Sequence, residues 1–332
     1  METTPKKIAV IGSGVTGLGA AWALGQNHHV TLLERDTRLG GHARTIDVTM
    51  GEQLVPVDTG FIVFNHRNDP NLTNLFETLG VATEATDMSF SVKSGRFEFA
   101  PTPGALLSSP QHLASRRTWA ILRGINRFRK QVASYDSIPN PNATLIEFLR
   151  DGDYPEPFIT DYLLPLAAAV WSGAGTDAAS MPVGTFLHFL ANHGLFELER
   201  PRWRTVTGGS REYVERIAKE IPLVRTGVEV TAVRRVDRGV AVTTPEGSER
   251  YDEVVMATHA PQTLRLRGDD VRDEERAILD TFRYAPNRAV VHRDPSVMPR
   301  RKAAWSAWNA VGTPAGSAQP ISVTYWMNRL QN

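Results

Sequence analysis

Three glycines near the N-terminus have the spacing of a turn that binds a phosphate. Gly12, Gly14 and Gly17 follow the apolar run Ile8–Ile11, and Glu34 lies about 20 residues further on. Glycines allow a tight turn and let backbone amides approach a pyrophosphate, whose charge the amides at a helix N-terminus stabilise. The carboxylate accepts hydrogen bonds from ribose hydroxyls and repels the 2′-phosphate of NADP. We therefore predict dinucleotide binding; the alternative is a glycine-rich helix start with an incidental glutamate.

A strand, a turn, a helix and a second strand must position these residues. Ile8–Ile11 is typical of a buried strand, Ala20–Leu24 belongs to a helix, and Val30–Leu33 is a second strand that ends at Glu34. Two lysines before the apolar stretch imitate a secretory signal, but the internal glycines argue against one. The order of the elements predicts a Rossmann-like unit at the N-terminus.

A second pair of glycines, Gly40 and Gly41, follows the acidic residue closely. Simple nicotinamide dehydrogenases do not need such a pair. From Lys7 to Thr45 the sequence resembles the FAD-dependent amine oxidase and phytoene desaturase superfamily. The resemblance implies FAD as the cofactor, with the backbone of the glycine pair close to the pyrophosphate and the ribityl chain. It also implies the fold class, α/β, with a Rossmann-like (GR2-type) FAD-binding domain and an inserted α+β substrate domain of antiparallel sheet plus helices.

Four later segments resemble the same superfamily in the same order, at 57–65, 207–217, 228–233 and 251–258. In relatives these segments pass beneath the flavin, return to the FAD domain, contact the adenine and lie against the cofactor. The resemblance implies FAD contacts from the following residues: Gly12, Ser13, Gly14, Val15, Thr16, Gly17, Glu34, Arg35, Gly40, Gly41, His42, Ala43, Thr59, Gly60, Phe61, Ile62, Val230, Ala257 and Thr258.

Within the superfamily the chain resembles a bacterial group often encoded beside cyclopropane-fatty-acid-synthase-like methyltransferases. Some members of that group desaturate methyl-branched fatty acyl chains. The resemblance implies an apolar lipid substrate that loses a hydride to form a double bond. An amine oxidase that produces hydrogen peroxide, and a catalytically silent dinucleotide-binding protein, are the alternatives. The strings that carry the resemblance are 60–65, 70–76, 169–172, 192–195, 208–210 and 327–330.

Few side chains qualify for catalysis, which is expected because flavin oxidation needs little acid–base help from the protein. Trp171 and His193 match the subgroup strings and are candidate pocket residues; a core tryptophan and a helix-terminal histidine are the alternative. Many amine oxidases place a lysine near the flavin. Lys302 is the one lysine of the late part of this chain, and its arginine neighbours favour an exposed basic cluster instead.

We expect a discontinuous FAD-binding domain, formed by residues 1–87 and 200–268, and a substrate domain, formed by 88–199 and 269–332. Alternating apolar residues predict two strands, 89–93 and 96–100, joined by a turn at Ser94 and Gly95. Similar patterns predict strands at 228–233, 288–292, 303–308 and 321–326, and helices over 111–135 and 144–192. Ser210 is expected to cap a helix that begins beside it.

Residues 116–131 predict a basic amphipathic helix. Trp119, Leu122, Ile125 and Phe128 are spaced three apart among arginines. Such a helix could make a peripheral contact with an anionic membrane. The alternative is an apolar face on the domain core and a solvated arginine face.

Composition bounds the function further. The 332 residues contain no cysteine, which excludes disulfides, thiolate metal sites and a cysteinyl link to a cofactor. The 37 basic and 36 acidic residues nearly balance, so we expect no nucleic-acid partner. We expect no metal site and a cytoplasmic location. The final glycine-rich segment of relatives has no match here, and we expect a chain shortened at its C-terminus that retains FAD weakly.

Overall fold

The computed structural model describes residues 4–171, 178–197, 199, 201–284, 286–312 and 321–331. The chain divides into two compact units. The first unit comprises Met1–Ile62, Asn74–Thr83 and Val206–Val290, and the second comprises Val63–Thr73, Glu84–Thr205 and Val291–Asn332. Residues 63–73, 84–87, 200–205 and 269–290 are grouped differently from the division expected from the sequence. The assignment of FAD binding and substrate binding to separate domains stays a prediction.

The strands, in chain order, are β1 (Lys7–Ile11), β2 (His29–Leu33), β3 (Thr45–Met50), β4 (Gln53–Asp58), β5 (Phe64–Asn65), β6 (Thr83–Ala85), β7 (Phe90–Ser94), β8 (Phe97–Phe99), β9 (Trp203–Val206), β10 (Leu223–Arg225), β11 (Ala232–Val236), β12 (Gly239–Thr244), β13 (Gly247–Tyr251), β14 (Glu253–Met256), β15 (Trp308–Gly312) and β16 (Ser322–Tyr325). The helices are α1 (Val15–Gly25), α2 (Pro70–Thr78), α3 (Pro103–Leu107), α4 (Pro110–Leu113), α5 (Arg116–Ala133), α6 (Leu145–Asp151), α7 (Glu156–Phe158), α8 (Leu164–Trp171), α9 (Val183–Asn192), α10 (Arg211–Lys219), α11 (Ala260–Arg267), α12 (Asp273–Leu279) and α13 (Met327–Leu330). Short 3₁₀ turns and one π-helical turn (Ile159–Leu163) lie between some of them.

A parallel sheet in the order β10-β2-β1-β14 forms the base of the first unit. Ile8 pairs with Val30 on one side and with Glu253 on the other. Residues 8–11 are all buried, as a strand covered on both faces requires. The Gly12 amide donates to the Leu33 carbonyl at 2.9 Å, so the turn after β1 lies at the end of β2. The predicted strand, turn, helix and strand are confirmed.

An antiparallel sheet of β11, β12 and β13 and a hairpin of β3 and β4 complete the strands of this unit. A core cluster joins Ile11 and Leu33 of the parallel sheet to Val233, Val242 and Tyr251. The strand predicted at 228–233 is wrong in position, because β11 begins only at Ala232. Before it, the Val228 amide donates to the Glu34 carbonyl, just after β2, at 2.9 Å, and the Thr231 amide donates to the Thr243 carbonyl of β12 at 2.8 Å.

The second unit has a sheet in the order β16-β15-β7-β8 with helices around its core. The hairpin of β7 and β8 and the strand β16 confirm the predictions for 89–100 and 321–326. The expectation of an antiparallel sheet needs correction, because β15 pairs with β7 in parallel, with Trp308 opposite Phe90. Strands that are far apart in sequence are not joined by a tight turn, so their direction is free to be parallel.

Two other strand predictions in the late part of the chain are wrong. Residues 288–292 form no strand, and Val290 and Val291 are exposed. The stretch 303–308 is a 3₁₀ turn at Lys302–Ala304 followed by extended residues, and β15 starts at Trp308. Residues with high β-propensity pack well on a pleated, half-buried sheet. They do not form a strand where no neighbouring strand is available to pair with them.

Helix α5 packs its apolar face into the core of the second unit. Its buried side chains include Ile121, Phe128 and Val132, and Gly124 lies on the same face. Trp119 from the predicted apolar face is 51% exposed, because a strict spacing of three drifts away from the 3.6-residue turn. The core-facing alternative is therefore confirmed, while a membrane contact stays a prediction. Within the described ranges, no helix has the length and apolar character to cross a bilayer.

Candidate functional site

The loop between β1 and α1 is compact on its protein side and open on the other. Gly12 has φ +99°, and a Cβ added there would lie 2.7 Å from the Ala257 carbonyl oxygen. A Cβ added to Gly17 would lie 1.8 Å from the Gly12 carbonyl oxygen. A Cβ added to Gly14 would meet no heavy atom within 4 Å. Two of the glycines are therefore required by packing, and the third faces free space.

The N-terminus of α1 leaves its backbone donors available to a ligand. Gly14 is the N-cap residue and has no side chain with which to cap, and the first turn carries no acidic residue. The first amides of a helix have no intrahelical acceptor and carry a partial positive charge. An anion such as a pyrophosphate suits this position.

Glu34 lies beside this loop, at the end of β2. One of its carboxylate oxygens accepts hydrogen bonds from the Ser13 amide at 2.8 Å and from the Ser13 hydroxyl at 2.6 Å. The other oxygen accepts from the Asp36 amide at 2.9 Å. These bonds hold the carboxylate at the glycine loop, where a ribose attached to a bound pyrophosphate would reach it.

The second glycine pair lies directly against the first loop. The Gly40 amide donates to the Ser13 carbonyl at 3.0 Å. Gly41 has φ +56°, and a Cβ added there would lie 3.1 Å from the Gly14 Cα. The close approach of two backbones explains why glycines are needed in both segments.

Residues 42–44 pack in turn against residues 59–61. The Phe61 amide donates to the His42 carbonyl at 3.2 Å, and the Thr59 amide donates to the Arg44 carbonyl at 2.9 Å. A Cβ added to Gly60 would lie 2.1 Å from the same His42 oxygen. The structure thus places the predicted residues of three separate sequence segments in one continuous group.

A buried carboxylate that the sequence reasoning missed fixes this group. Asp58 is 3% exposed and accepts hydrogen bonds from the Ser210 amide at 2.9 Å, the Ser210 hydroxyl at 2.7 Å and the Thr45 hydroxyl at 2.6 Å. The Ser210 side chain makes no cap bond to α10, so the predicted cap is wrong. Burial, with the nearby Asp58 charge as a second cause, raises the pKa of the Tyr213 phenol far above its ordinary value.

A stack of three exposed rings also escaped sequence reasoning. His42 stacks on His259 with ring centroids 5.7 Å apart, and His259 stacks on Tyr284 at 4.4 Å. His42 follows the second glycine pair, and His259 follows Thr258. No short motif signals such a stack, because its members come from three distant segments.

The arrangement fits a dinucleotide cofactor. The space beside Gly14, the uncapped start of α1 and the backbone of Gly41 would accommodate the pyrophosphate. Glu34 would accept the ribose hydroxyls. The fit rests on this chain's own geometry and does not depend on the motif alone.

The second unit contains an apolar cavity of about 230 Å³. Six of its described lining residues carry aromatic rings, one of them the imidazole of His193, and none of the described lining residues carries a carboxylate or an amine. Such a lining binds hydrocarbon through contact area. The lining residues are Val63, Met88, Ser89, Phe90, Pro101, Thr102, Tyr162, Leu166, Val170, Phe189, His193, Leu195, Trp203 and Trp308.

The three candidate catalytic residues differ in their relation to this cavity. His193 lines it, stacks on the Phe189 ring at 4.0 Å and contacts the Phe189 carbonyl through Nδ1 at 2.9 Å. Trp171 is half-buried and packs against Phe186 and Phe189 at the end of α8 without lining the cavity. Lys302 is exposed in a 3₁₀ turn and is absent from the lining, as expected of a surface cluster.

Asn65 is a further residue that sequence reasoning did not single out. Its Oδ1 accepts from the amides of Arg67 and Asn68, which fixes the orientation of the side-chain amide. Its Nδ2 is buried and has no hydrogen-bond partner among the residues that the structure describes. Asn65 pairs with Trp203 across β5 and β9, so the two side chains lie on the same face. A buried donor of this kind requires an acceptor, such as an ordered water.

Comparison with known protein families shows to which family this chain belongs. The sequence profile described as flavin containing amine oxidoreductase matches residues 15–291. The chain belongs to the flavin-containing amine oxidoreductase family. A flavin is therefore the cofactor expected at the glycine site, and the predicted fold class is confirmed.

Members and structural neighbours of this family differ in their named activities. The chain is 26% identical over 263 residues to (S)-6-hydroxynicotine oxidase of Paenarthrobacter nicotinovorans, covering 75% of this chain and 59% of that enzyme. It superposes on a putative protoporphyrinogen oxidase from Exiguobacterium sp. 255-15 with TM-score 0.63 and 19% identity, covering 98% and 73% of the two chains. It superposes on the CLA-producing fatty acid isomerase from P. acnes with TM-score 0.60 and 17% identity, covering 84% and 64%. Its local match to L-amino-acid oxidase of Sistrurus catenatus edwardsii, 46% identical over 44 residues, spans 13% of this chain and 8% of that protein.

The other residues of this chain that were predicted to contact FAD have varied surroundings. Ala257 bonds to the end of β1, and the Thr258 hydroxyl is 2.9 Å from that of Thr263. Val230 is buried in the core cluster with Ile11 and Leu33. Val15, Thr16 and Arg35 are exposed, Ala43 is buried, and Ile62 is half-buried. Their roles as cofactor contacts stay predictions.

Proposed function

We propose that this chain is an FAD-dependent oxidoreductase that removes a hydride from an apolar, methyl-branched fatty acyl chain and leaves a double bond. The observation that carries the proposal is the aromatic cavity of about 230 Å³, whose lining, within the described part of the chain, has no carboxylate to pair with an ammonium group. FAD, when bound, accepts a hydride. The protein's own work is to bind both molecules, orient the reacting bond and exclude water.

The glycine site supports FAD as the form of the flavin. FAD contains a pyrophosphate and an adenosine ribose, and FMN lacks both. Gly14 and the start of α1 suit the pyrophosphate, and Glu34 suits the ribose hydroxyls. The carboxylate at the ribose position also disfavours a 2′-phosphate.

The cavity supports a hydrocarbon substrate. Phe90, Phe189 and Trp308 supply ring surface, and Leu166 and Val170 supply aliphatic surface. Burying a methylene in such surroundings contributes about 0.8 kcal/mol. A protonated amine would lose its hydration there without gaining a charged partner from the described lining residues.

Amine oxidation is the second candidate, and one comparison favours it. The similarity to (S)-6-hydroxynicotine oxidase covers 75% of this chain, although it spans only 59% of that enzyme. The fold itself does not distinguish the two candidates, because it is shared by proteins as different as a fatty acid isomerase and a putrescine oxidase.

Anaerobic reduction of the FAD-loaded protein tests the proposal. Methyl-branched acyl lipids should bleach the flavin absorbance, and primary amines should not. The variant Val170→Trp, which fills the cavity, should abolish bleaching by the lipid. Leu107→Trp introduces the same side chain at a 70% exposed position and should leave bleaching unchanged. Bleaching by amines with peroxide release under air, and none by lipids, would refute the proposal and establish the second candidate.

A further inference from the structure

His193 is held in one tautomer by its own helix. Its Nδ1 lies 2.9 Å from the Phe189 carbonyl oxygen, which can only accept a hydrogen bond. Nδ1 therefore carries a proton. In the neutral imidazole the other nitrogen, Nε2, then has a free lone pair. Stacking on the Phe189 ring at 4.0 Å holds the ring plane as well.

The other polar groups of the cavity lining are committed elsewhere or cannot take a proton. The Ser89 hydroxyl donates to Asp87 at 2.6 Å and accepts from the Ala307 amide at 3.0 Å. The Thr102 hydroxyl caps α3. Tyr162 is a phenol, which is an acid and not a base at neutral pH. Among the described lining residues, His193 thus offers the basic nitrogen, and no hydrogen bond joins its Nε2 to another described residue.

We propose that Nε2 of His193 is the base that takes a proton from the substrate in the cavity. This inference rests on the proposed function. The branched carbon loses hydrogen with its bonding pair as hydride to the oxidant of that function, FAD. The neighbouring carbon gives its proton to Nε2, and the electron pair of that C–H bond becomes the second bond of the alkene. The substrate is oxidised by two electrons, and His193 later returns its proton to water.

The surroundings suit the charges that such a reaction develops. Hydride loss makes the branched carbon electron-poor, and the lining includes the indole rings of Trp203 and Trp308, a ring type whose π electrons attract positive charge. The imidazolium that forms lies at the C-cap position of α9, where the helix dipole stabilises a cation. A carboxylate base would instead carry a buried charge before the reaction, at a desolvation cost that the neutral imidazole avoids.

Nitrogen NMR of the full chain labelled with ¹⁵N-histidine tests the tautomer without any cofactor. His193→Gln identifies the signals by their loss. In the neutral ring, Nδ1 should be protonated and Nε2 should give the resonance of an unprotonated nitrogen. A neutral His193 protonated at Nε2 would overturn the proposal, because that nitrogen could not accept a proton.

Stopped-flow reduction of the FAD-loaded protein tests the role. His193→Gln keeps a polar side chain of similar size but removes the base, and it should slow flavin reduction by lipid about 100-fold or more with little change in lipid affinity. His188→Gln alters an exposed histidine of the same helix and should reduce at the wild-type rate. Added imidazole should restore reduction in His193→Gly, which a purely structural role would not predict.

The outcomes separate the two proposals. If lipid reduces the wild type and His193→Gln equally fast, or if imidazole does not rescue His193→Gly, the base assignment is wrong and the proposed function stands. If lipid does not reduce the wild type, the proposed function fails, and the base assignment fails with it.

Discussion

The two units of this chain make their sites in opposite ways. In the first unit the site exists because side chains are absent: Gly12, Gly17 and Gly60 allow backbones to approach where a Cβ would overlap a carbonyl oxygen. In the second unit the cavity exists because large side chains surround it, with rings such as Phe90, Trp203 and Trp308 in its lining. A site defined by backbone contact is recognisable as a short motif, whereas one defined by ring packing is assembled from distant segments.

Removing a ring from the second unit should have the largest effect on stability. Phe128 is fully buried and packs against Tyr154, Phe158, Phe186 and Phe196. Phe128→Ala should lower the free energy of unfolding by about 4 kcal/mol through lost burial and a residual cavity. Thermal unfolding followed by fluorescence measures the loss.

The matched control for this change is Trp119→Ala on the same helix. Trp119 is 51% exposed, so its loss should cost less than about 1 kcal/mol. FAD affinity should be unaffected by either change, provided it is measured well below the melting temperature. If Phe128→Ala also lost FAD affinity, the glycine site of the first unit would depend on the ring packing of the second.

Adding a methyl group to the first unit is the converse experiment. Gly17→Ala places a Cβ 1.8 Å from a backbone oxygen that cannot move without displacing the glycine loop. We expect a loss of about 2 to 3 kcal/mol in stability. FAD affinity should fall at least tenfold, as measured by titration of the apoprotein with flavin fluorescence.

Gly19→Ala in the same helix is the control for Gly17→Ala. A Cβ at position 19 meets no atom within 4 Å. This variant should gain about 0.5 to 1 kcal/mol, because alanine favours a helix interior over glycine. If the two variants changed stability and FAD affinity equally, the backbone contact at Gly17 would not be what requires a glycine there.

Neutralising the acid at the glycine loop should have a smaller effect. Glu34→Gln removes a charged acceptor for ribose hydroxyls, so we expect FAD to bind about tenfold more weakly, a difference of about 1.4 kcal/mol. Glu52→Gln, in the exposed turn between β3 and β4, should bind FAD as the wild type does. If Glu34→Gln bound FAD as tightly as the wild type, Glu34 would not be the acceptor for the ribose hydroxyls.

The smallest effect concerns a surface network of the first unit. The Arg272 amide, followed by the side chains of Arg235 and Arg272, lowers the pKa of Glu275 from 4.5 to about 2. A carboxyl group whose pKa is lower in the folded state stabilises the fold above its unfolded pKa. That contribution is lost as the pH falls from about 4.5 toward 2.

Comparison of the wild type with Glu275→Gln isolates this contribution. The difference in melting temperature between the two should shrink as the pH falls through this range. Glu274→Gln changes an acidic residue of the same helix turn and should show no such trend. A difference that stays constant down to pH 2 would contradict the lowered pKa.

The sequence was most informative where neighbours along the chain are also neighbours in space. The β1, α1 and β2 elements and the hairpin of β7 and β8 follow from local periodicity and turn residues, and the structure confirms them. Gly40 and Gly41 were recognised by resemblance, and their contact with Ser13 and Gly14 gives that resemblance a physical basis.

The errors arose where a partner strand or a competing acceptor decided the outcome. Residues 288–292 have strand propensity without forming a strand, and β15 joins β7 in parallel after a long connection. Ser210 stands at a helix start, yet its hydroxyl bonds to the buried Asp58. A single sequence does not reveal which of two acceptors a hydroxyl will meet.

The sequence by itself determined the dinucleotide motif, the family resemblance and the order of the first elements, because each depends on glycines and apolar residues at short, fixed spacing. Tertiary structure alone decided the cavity and the burial of Asp58. Those features depend on side chains from distant segments meeting in one place. Long-range packing sets their distances, and no local pattern encodes it.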